Sequence, residues 1–477
     1  MKGVYGRVGL LVLGAFLLVQ VGIGVWAARR VHSESDYFVA GKRLGPWLLT
    51  MSLFATWFGA ETCLGVSGTV YREGLRGGRA EPLGYALCLA LSGLLLAGRM
   101  SRGNFVTLGD LFRARGGPWV ERAVVLLLVP SSLLWGAAQV RALGLVVSQI
   151  AEVPLALSII ASGLVVVAYS FLGGMWGDVA TDLLQGIILS LGLFALLAVV
   201  LLNAPDGGWT QALSQERLTL LPADEGMWSQ LDRMAIPVLG SLVTQELVAR
   251  LLGARSEAVA RRSAWWAAGL YLLVGAIPVF LGLLGPALLP GLTEHESYLP
   301  RLAAHYLPGA FGSLFSCALL AAILSTVDSV LLSNSALLSH NLLAPLFGVS
   351  GDRARLWLGR AVLVLAGCFA LVVALFAEGI YDLVELASSI GTAGVLVVTL
   401  AALYAPRLDR NAALAALLVG LVSTPALRWL GFGAPFLASV AAAALIWWGW
   451  QYGAPGWLRL RGGSRTASFP SSGGTPD

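Results

Sequence analysis

The chain has 477 residues, of which 57% are hydrophobic and only 12% are charged, and its mean hydropathy is +0.80. Soluble domains carry about 25% charged residues, so this composition excludes a soluble protein and predicts an integral membrane protein. The net charge of +5 does not indicate nucleic-acid binding, because membrane proteins concentrate Lys and Arg in their cytoplasmic loops.

Apolar runs divide the chain at regular intervals and predict an all-α integral membrane protein. A run of about 20 apolar residues crosses a bilayer as a helix, and no segment has the period-two alternation of a membrane β-barrel. About 13 transmembrane helices are expected, at residues 8–28, 47–70, 82–99, 120–147, 154–172, 179–203, 233–253, 264–289, 311–344, 356–377, 382–404, 412–427 and 433–451.

The Lys and Arg residues between these spans indicate the orientation. Most of them, with Arg250 among them, fall on the side that also carries the C-terminal segment, and cytoplasmic loops are the ones enriched in basic residues. We expect a multi-pass protein of the cell inner (plasma) membrane with its N-terminus outside and its C-terminus in the cytoplasm. Residues 204–232 are predicted to be a polar outside loop, and the Gly/Ser/Pro-rich residues 462–477 a disordered cytoplasmic tail.

Charged side chains inside the predicted spans are candidate functional residues, because charge within the bilayer is costly. Six positions qualify: Glu61, Arg141, Asp182, Glu246, Asp328 and Glu385. Three further carboxylates lie near span ends, where we expect them to be solvated at the membrane surface: Asp178, Glu378 and Asp382.

Sequence motifs of enzymes and of ATP-driven pumps are not found in this chain. A zinc-protease HExxH, a GxSxG nucleophile elbow, a Walker sequence and paired cysteines are all missing. We therefore expect no catalytic residues and no enzyme activity, and transport driven by an ion gradient is the remaining interpretation.

Two predicted spans carry unusual numbers of small and hydroxyl residues. In the second span, unwinding near residues 55–59 would free backbone carbonyls that can coordinate a cation, although small residues also allow close helix packing. In the ninth span, Ser325 and Ser329 share a helix face with Ala322. Such hydroxyls either bind a small alkali cation or bond to the carbonyl one turn earlier in their own helix.

Three sequence blocks resemble the motifs of the sodium/solute symporter family, in the family's order. They are SDYFVAGKRLGPWLLTMSLFATWFGAETCLGVSGTVYREGL at 35–75, GGMWGDVATDLLQG at 173–186 and the segment 319–342. The resemblance covers about residues 8–405. It implies a LeuT-type core of two inverted five-helix repeats, at 47–203 and 233–405, with an extra helix and cytoplasmic loop in 1–46 and two more helices in 406–461.

The resemblance also implies a sodium site between the first and eighth core helices. Matched position by position, its ligands are the main-chain carbonyls of Ala55, Phe58 and Ala322 and the hydroxyls of Ser325 and Thr326. Sodium is thus expected as a co-transported ion and not as a prosthetic group. Asp182, in the sequence TDLLQ, matches an aspartate that the family links to ion coupling or gating, although capping of a helix start is an alternative role.

Within the family, the chain is most similar to the high-affinity choline transporters, which surround a quaternary ammonium with aromatic faces. Trp57, Tyr85 and Trp135 match three of those aromatic positions, although each can also serve packing or interfacial anchoring. Two other aromatic positions fall near Thr244 and Val384. The incomplete cage argues against choline itself as the substrate.

Glu61 and Arg141 depart from the choline transporters, which carry no charge at these places. The two residues could form an ion pair within the membrane, or one of them could face the substrate, Glu61 contacting an amine or Arg141 a carboxylate. Trp57, Glu61, Tyr85, Trp135 and Arg141 are therefore the predicted substrate-binding residues.

The sequence predicts a secondary active transporter that couples sodium entry to uptake of a small polar organic solute, such as an amine, a zwitterion or an amino-acid-like molecule. The expected partners are the solute, sodium and the lipid bilayer, with no nucleic acid and no required protein partner. Two alternatives remain open: proton-coupled transport with Glu61 as the carrier, and a membrane sensor that resembles a transporter.

Overall fold

The computed structural model describes residues 6–203, 214–221, 225–307, 309–377, 383, 387 and 391–453. These residues form helices and connecting turns without a β-strand, in agreement with the predicted all-α class. The tail 462–477, residues 204–213 and 222–224 of the predicted loop, and the candidate residues Glu378, Asp382, Val384 and Glu385 lie outside the described residues.

The helices have the following bounds in chain order. They are α1 (Gly6–Ala28), α2 (Glu34–Val39), α3 (Pro46–Trp57), α4 (Val66–Glu73), α5 (Leu83–Leu95), α6 (Ala97–Arg102), α7 (Leu108–Gly116), α8 (Pro118–Ala151), α9 (Leu155–Asn203), α10 (Gln215–Leu218), α11 (Met227–Ala235), α12 (Gln245–Gly253), α13 (Glu257–Leu288), α14 (Tyr298–Tyr306), α15 (Gly309–Ala336), α16 (Ala344–Phe347), α17 (Asp352–Phe376), α18 (Thr392–Tyr404), α19 (Arg410–Trp429) and α20 (Pro435–Trp448).

Seven of the described helices are long and apolar enough to cross a membrane, and a bent pair at 227–253 makes an eighth. Predicted spans 154–172 and 179–203 both fall within α9, which is broken where Gly174 adopts φ 50° and ψ −148°. Among the described residues, span 82–99 contains the shorter apolar helix α5 and the start of α6, and span 382–404 contains the shorter apolar helix α18. Helix length alone therefore does not reproduce the expected count of thirteen.

The second predicted span is interrupted in its middle. Helix α3 ends at Trp57, Phe58 is non-helical with φ −86° and ψ 68°, and a π-helical turn, Glu61–Gly65, leads into α4. A Cβ atom on Gly59 would lie 2.8 Å from Thr326 Oγ1. Only glycine, which lacks a Cβ atom, allows the backbone at residue 59 to come this close to Thr326. The interruption therefore lies directly against α15.

The span 233–253 is also broken. After α11, a π-helical turn (Ile236–Gly240) and a 3₁₀ turn (Ser241–Val243) lead to Thr244, whose backbone is extended. Helix α12 starts at the next residue, with a bend of 48° between the two parts. The break sends α12 into the interior of the bundle, where every one of its side chains is buried.

Helix α15 forms the centre of the molecule. It packs against α8, α9, α1 and α17, and nearly all of its apolar stretch is buried. Small residues allow the close packing: a Cβ on Gly192 of α9 would lie 2.9 Å from the Cβ of Ala318. The interruption at 58–65 thus lies against this central helix, and α12, which follows the interruption at 236–244, also packs on it.

Candidate ion and substrate site

The end of α3 meets the hydroxyl groups of α15. Thr326 Oγ1 donates to the Thr56 carbonyl (3.1 Å) and to the Ala322 carbonyl (3.3 Å). The last carbonyls of a helix lack an amide partner within that helix, so the end of α3 presents free main-chain oxygens to this contact. The predicted sodium ligands are all buried here: Ala55, Phe58, Ala322, Ser325 and Thr326.

Helix α8 holds the interruption in place from the opposite side. The backbone N–H of Ala60 donates to Gln139 Oε1 (3.2 Å). Carbonyl and hydroxyl oxygens are hard ligands that suit a small alkali or alkaline-earth cation. The residues present at this contact therefore fit the predicted ion.

A buried arginine lies beside the ion-site residues. Arg250 Nη2 contacts Asp178 Oδ2 (2.7 Å) and Asp182 Oδ2 (3.0 Å), and it also donates to Ser329 Oγ (2.5 Å). Arg250 Nε donates to Ser52 Oγ (2.8 Å). The guanidinium thus joins α3, α9, α12 and α15 in one polar network, which we call the Arg250 cluster.

Asp182 links this cluster to the predicted sodium ligands. Its carboxylate accepts hydrogen bonds from Ser52 Oγ (2.5 Å) and from Ser325 Oγ. Asp182 therefore contacts a sodium-site residue directly, as well as Arg250. Asp328, another predicted candidate, is buried on the same helix as Ser325.

Two sequence expectations about the Arg250 cluster were wrong. Arg250 was expected in a cytoplasmic loop and Asp178 at a solvated span end, yet both side chains are buried. The break at Thr244 starts α12 inside the bundle, so its second turn reaches the interior. The break at Gly174 similarly places Asp178 within the packed part of α9.

Aromatic side chains predicted to bind substrate do converge in the structure. The ring centroid of Trp57 lies 6.0 Å from that of Tyr85 and 6.4 Å from that of Trp135. A fourth ring, Tyr271, lies 5.9 Å from Tyr85 and was not anticipated from the sequence. We call these four residues the aromatic box.

Glu61 forms part of the wall of this box. Trp135 Nε1 donates to Glu61 Oε1 (2.5 Å) and the Tyr85 hydroxyl donates to Oε2 (3.2 Å). The π-helical turn that begins at Glu61 places its carboxylate opposite α5 and α8. The Glu61 side chain is half-buried, so its carboxylate remains accessible from the aromatic box.

Arg141 is not brought to Glu61. Its Nη1 donates to the Ala374 carbonyl of α17 (2.9 Å), and no ion pair joins Arg141 to Glu61 in the described part of the chain. Arg141 follows Trp135 by six residues, a rotation of about 120° from the face that bears the indole. The structure thus separates Arg141 from the other predicted substrate residues.

The remaining predicted positions lie near the two breaks. Thr244, at one lost aromatic position, is half-buried where the helix 233–253 bends. Glu246 follows it, is buried, and accepts a hydrogen bond from Ser132 Oγ (2.5 Å).

A buried carboxylate behind the aromatic box was missed. Glu81 accepts a hydrogen bond from the Tyr271 hydroxyl (3.5 Å), which also contacts Thr62 Oγ1 (2.7 Å) and donates to the Trp57 carbonyl (3.3 Å). Glu81 directly precedes the span predicted at 82–99, so its position suggested a solvated loop. Its burial depends on the packing of Tyr271, which the sequence does not reveal.

A second polar cluster joins α2, α7 and the turn after α15. The imidazole of His340 contacts Glu34 Oε1 (2.8 Å) and Asp110 Oδ1 (3.0 Å). Burial opposes ionisation of Asp110, but the hydrogen bonds from His340 and from two backbone amides outweigh it and lower the pKa of Asp110.

Comparison with known proteins covers most of the chain. A model of the sodium:solute symporter family matches residues 37–420. The high-affinity choline transporter 1 of Drosophila melanogaster is 26% identical over 80% of this chain and 64% of its own length, so the chain spans less than two thirds of that relative. The high affinity choline transporter 1 of Homo sapiens is 28% identical over 80% of this chain and 70% of its own.

Solved structures share the fold. The substrate-bound, outward-open structure of a Na⁺-coupled sialic acid symporter aligns with a TM-score of 0.81, over 92% of this chain and 97% of its own, at 18% identity. The family model and this shared fold lead to one conclusion: the chain belongs to the sodium:solute symporter family.

Proposed function

We propose that the protein is a secondary active transporter in which sodium entry drives uptake of a small polar organic solute. The observation that carries the proposal is the interrupted segment 58–65. It presents carbonyl oxygens to the hydroxyls of α15 on one side and Trp57 and Glu61 to the aromatic box on the other.

The proposed architecture has thirteen spans, with inverted repeats at residues 47–203 and 233–405. The two interrupted helices, at 58–65 and 236–244, lie in corresponding opening parts of these segments. Broken helices that line a central site are typical of inverted-repeat transporters, and rocking of one helix group against the other changes access to that site.

For the ion, we propose coordination by the carbonyls of Ala55, Phe58 and Ala322 and the hydroxyls of Ser325 and Thr326. Asp182 contacts Ser325 and Arg250, so it is placed to transmit ion binding to the Arg250 cluster. Its proposed role is coupling or gating.

For the solute, we propose binding by Trp57, Glu61, Tyr85 and Trp135. The centroid distances and the hydrogen bonds to Glu61 support this set. Arg141 is not included, because its guanidinium is directed to α17.

Uptake by the purified protein in sealed vesicles tests the proposal. An inward sodium gradient at equal pH on both sides should drive accumulation of a transported solute, and a proton gradient without sodium should not. The opposite pattern would favour the alternative of proton coupling through Glu61, a carboxylate with no ion-pair partner among the described residues. Accumulation under neither gradient would favour the sensor alternative.

Labelling tests the proposed orientation in the membrane. Glu294, between α13 and α14, has an exposed side chain, as has Arg353 at the start of α17. A cysteine at 294 should react with an impermeant thiol reagent in intact cells, and one at 353 only after permeabilisation. Reaction of both, or the reverse order, would contradict an outside N-terminus.

A further inference from the structure

Two carboxylates at the aromatic box have no positive partner among the residues that the structure describes. No Lys, Arg or His nitrogen lies within 4.0 Å of Glu61 or Glu81 in the part of the chain that the structure describes. The Glu81 side chain is buried almost completely, and the Glu61 side chain is half-buried. An ionised carboxylate in such surroundings is costly unless a cation or a proton compensates it.

From this geometry we infer that the transported solute is a small amine whose protonated nitrogen carries at least one N–H, and that this N–H donates to Glu61. The inference rests on the proposed function and narrows the solute from polar organic molecules to ammonium ions with an N–H. Quaternary ammonium ions are thereby excluded as preferred solutes.

The hydrogen bonds of Glu61 leave room for such a donor. An ionised carboxylate has about four lone-pair positions, and the two donors in the structure, Trp135 Nε1 and the Tyr85 hydroxyl, each occupy one oxygen. One position on each oxygen therefore remains for an incoming N–H. These donors also fix the carboxylate in one orientation.

The rings provide the second component of recognition. Trp57 and Tyr85 are adjacent, and cations are attracted to the faces of Trp and Tyr. Aromatic faces alone attract a quaternary ammonium as well as a protonated amine. Glu61 distinguishes the protonated amine from the quaternary ammonium. A methyl group in place of the N–H leaves a desolvated carboxylate oxygen without a hydrogen bond from the solute.

The charge of the site argues against amino acids and other carboxylates. Glu61 and Glu81 are both linked to the box, directly or through Tyr271, and Arg141 is directed away from it. A carboxylate group beside the ammonium would meet two like charges, and the described residues place no Lys, Arg or His nitrogen within ion-pair distance of either one to compensate it. The preferred solute thus carries positive charge without an adjacent acid.

A matched series of probes tests the inference: ethanolamine, its N-methyl and N,N-dimethyl derivatives, and choline. These four cations carry three, two, one and no N–H at similar size. Affinities of the purified full-length protein are measured by calorimetry at saturating sodium, up to millimolar probe. We expect the dimethyl compound to bind at least tenfold more tightly than choline. Equal or tighter binding of choline, or no binding by any member, would overturn the inference.

Two variants test which carboxylate causes the difference in affinity between dimethylethanolamine and choline. Glu61→Gln should reduce the difference between dimethylethanolamine and choline to less than threefold. Glu81→Gln, a matched change behind Tyr271, should preserve most of the difference. If Glu61→Gln keeps the full discrimination, Glu61 is not the anchor. If it removes a pH dependence of uptake but leaves selectivity unchanged, Glu61 carries a proton instead.

Sodium-dependent thermal stabilisation of each variant separates this inference from the proposed function. Glu61→Gln should retain that stabilisation, because no predicted sodium ligand is changed. A parent protein without any sodium response would contradict the proposed function. A normal sodium response combined with a preference for choline would contradict only the inference about the solute.

Discussion

The Arg250 cluster and the aromatic box both involve carboxylates inside the helix bundle, but among the described residues only the first has a cationic side chain to pair with them. Asp178 and Asp182 contact the guanidinium of Arg250 at 2.7 and 3.0 Å, whereas Glu61 and Glu81 receive hydrogen bonds from neutral donors. A compensated cluster can hold helices together permanently. An uncompensated one is suited to a cation that arrives and leaves.

The largest loss of stability is expected when the guanidinium of the Arg250 cluster is removed. Arg250→Met leaves Asp178 and Asp182 buried without a partner, and breaking a buried pair in this way costs about 3–5 kcal/mol. The melting temperature in detergent should fall markedly, and adding Asp178→Asn with Asp182→Asn should restore much of it. Arg261→Met is the control, since this exposed arginine pairs with Glu257 and such pairs contribute about 0.3–0.5 kcal/mol. Equal stability of the two single variants would contradict the comparison.

The next effect concerns two proposed ion ligands, Ser325 and Thr326, of which Ser325 contacts the Arg250 cluster through Asp182. Ser325→Ala with Thr326→Ala removes two hydroxyls, and we expect half-maximal uptake to need at least about tenfold more sodium, equivalent to about 1.4 kcal/mol. Thr326→Ser retains its hydroxyl and should behave like the parent. The measurement is uptake as a function of sodium concentration. If a folded double variant needs the same sodium concentration as the parent, the two residues are not sodium ligands.

Neutralising one carboxylate should change the stability of the protein in opposite directions in the Arg250 cluster and at the aromatic box. Asp182→Asn weakens an existing ion pair and should lower the melting temperature. Glu81→Gln keeps an acceptor for Tyr271 but removes a buried charge without a partner, so we expect stabilisation of about 1 kcal/mol. Thermal unfolding of both variants at neutral pH measures this, and destabilisation by Glu81→Gln would show that Glu81 is compensated in the parent.

The smallest effect is expected for a partly exposed pair. A hydrogen bond from Arg79 Nη2 to Glu225 Oε1 (3.0 Å) lowers the pKa of Glu225. A depressed pKa gives stability that is present above the ordinary pKa of Glu and is lost as the pH falls through the lower folded-state pKa. Arg79→Gln should therefore flatten the stability profile in acid by less than about 1 kcal/mol. An unaltered profile would mean that the pair contributes nothing.

Much of the fold and part of the site could be predicted from sequence. Composition and apolar runs indicated the membrane class, and hydroxyl-rich stretches with family motifs identified the contact between the end of α3 and Thr326. Trp57, Tyr85 and Trp135 were correctly grouped. The ligand roles of these residues stay predictions.

Two of the errors share one physical cause. Hydropathy assigns a residue to a span or a loop by the average of its neighbours, so it cannot detect a helix that breaks within the membrane. Arg250 and Asp178 were assigned to loop regions because apolar runs end near them, yet breaks at Thr244 and Gly174 bring both inside. Glu81 was overlooked for a different reason, since its burial depends on the packing of Tyr271 from a distant part of the chain.

Sequence by itself determined that the chain must enter a bilayer, because 57% hydrophobic residues cannot be buried in a water-soluble globule of this size. It also determined which residue types are available for an ion and an organic solute. Tertiary structure alone decided which charges meet. Arg141 lies six residues after Trp135 on α8. The rotation of the helix over these residues directs Trp135 towards Glu61 and Arg141 towards α17. Pairing across helices depends on their packing, which no local sequence pattern records.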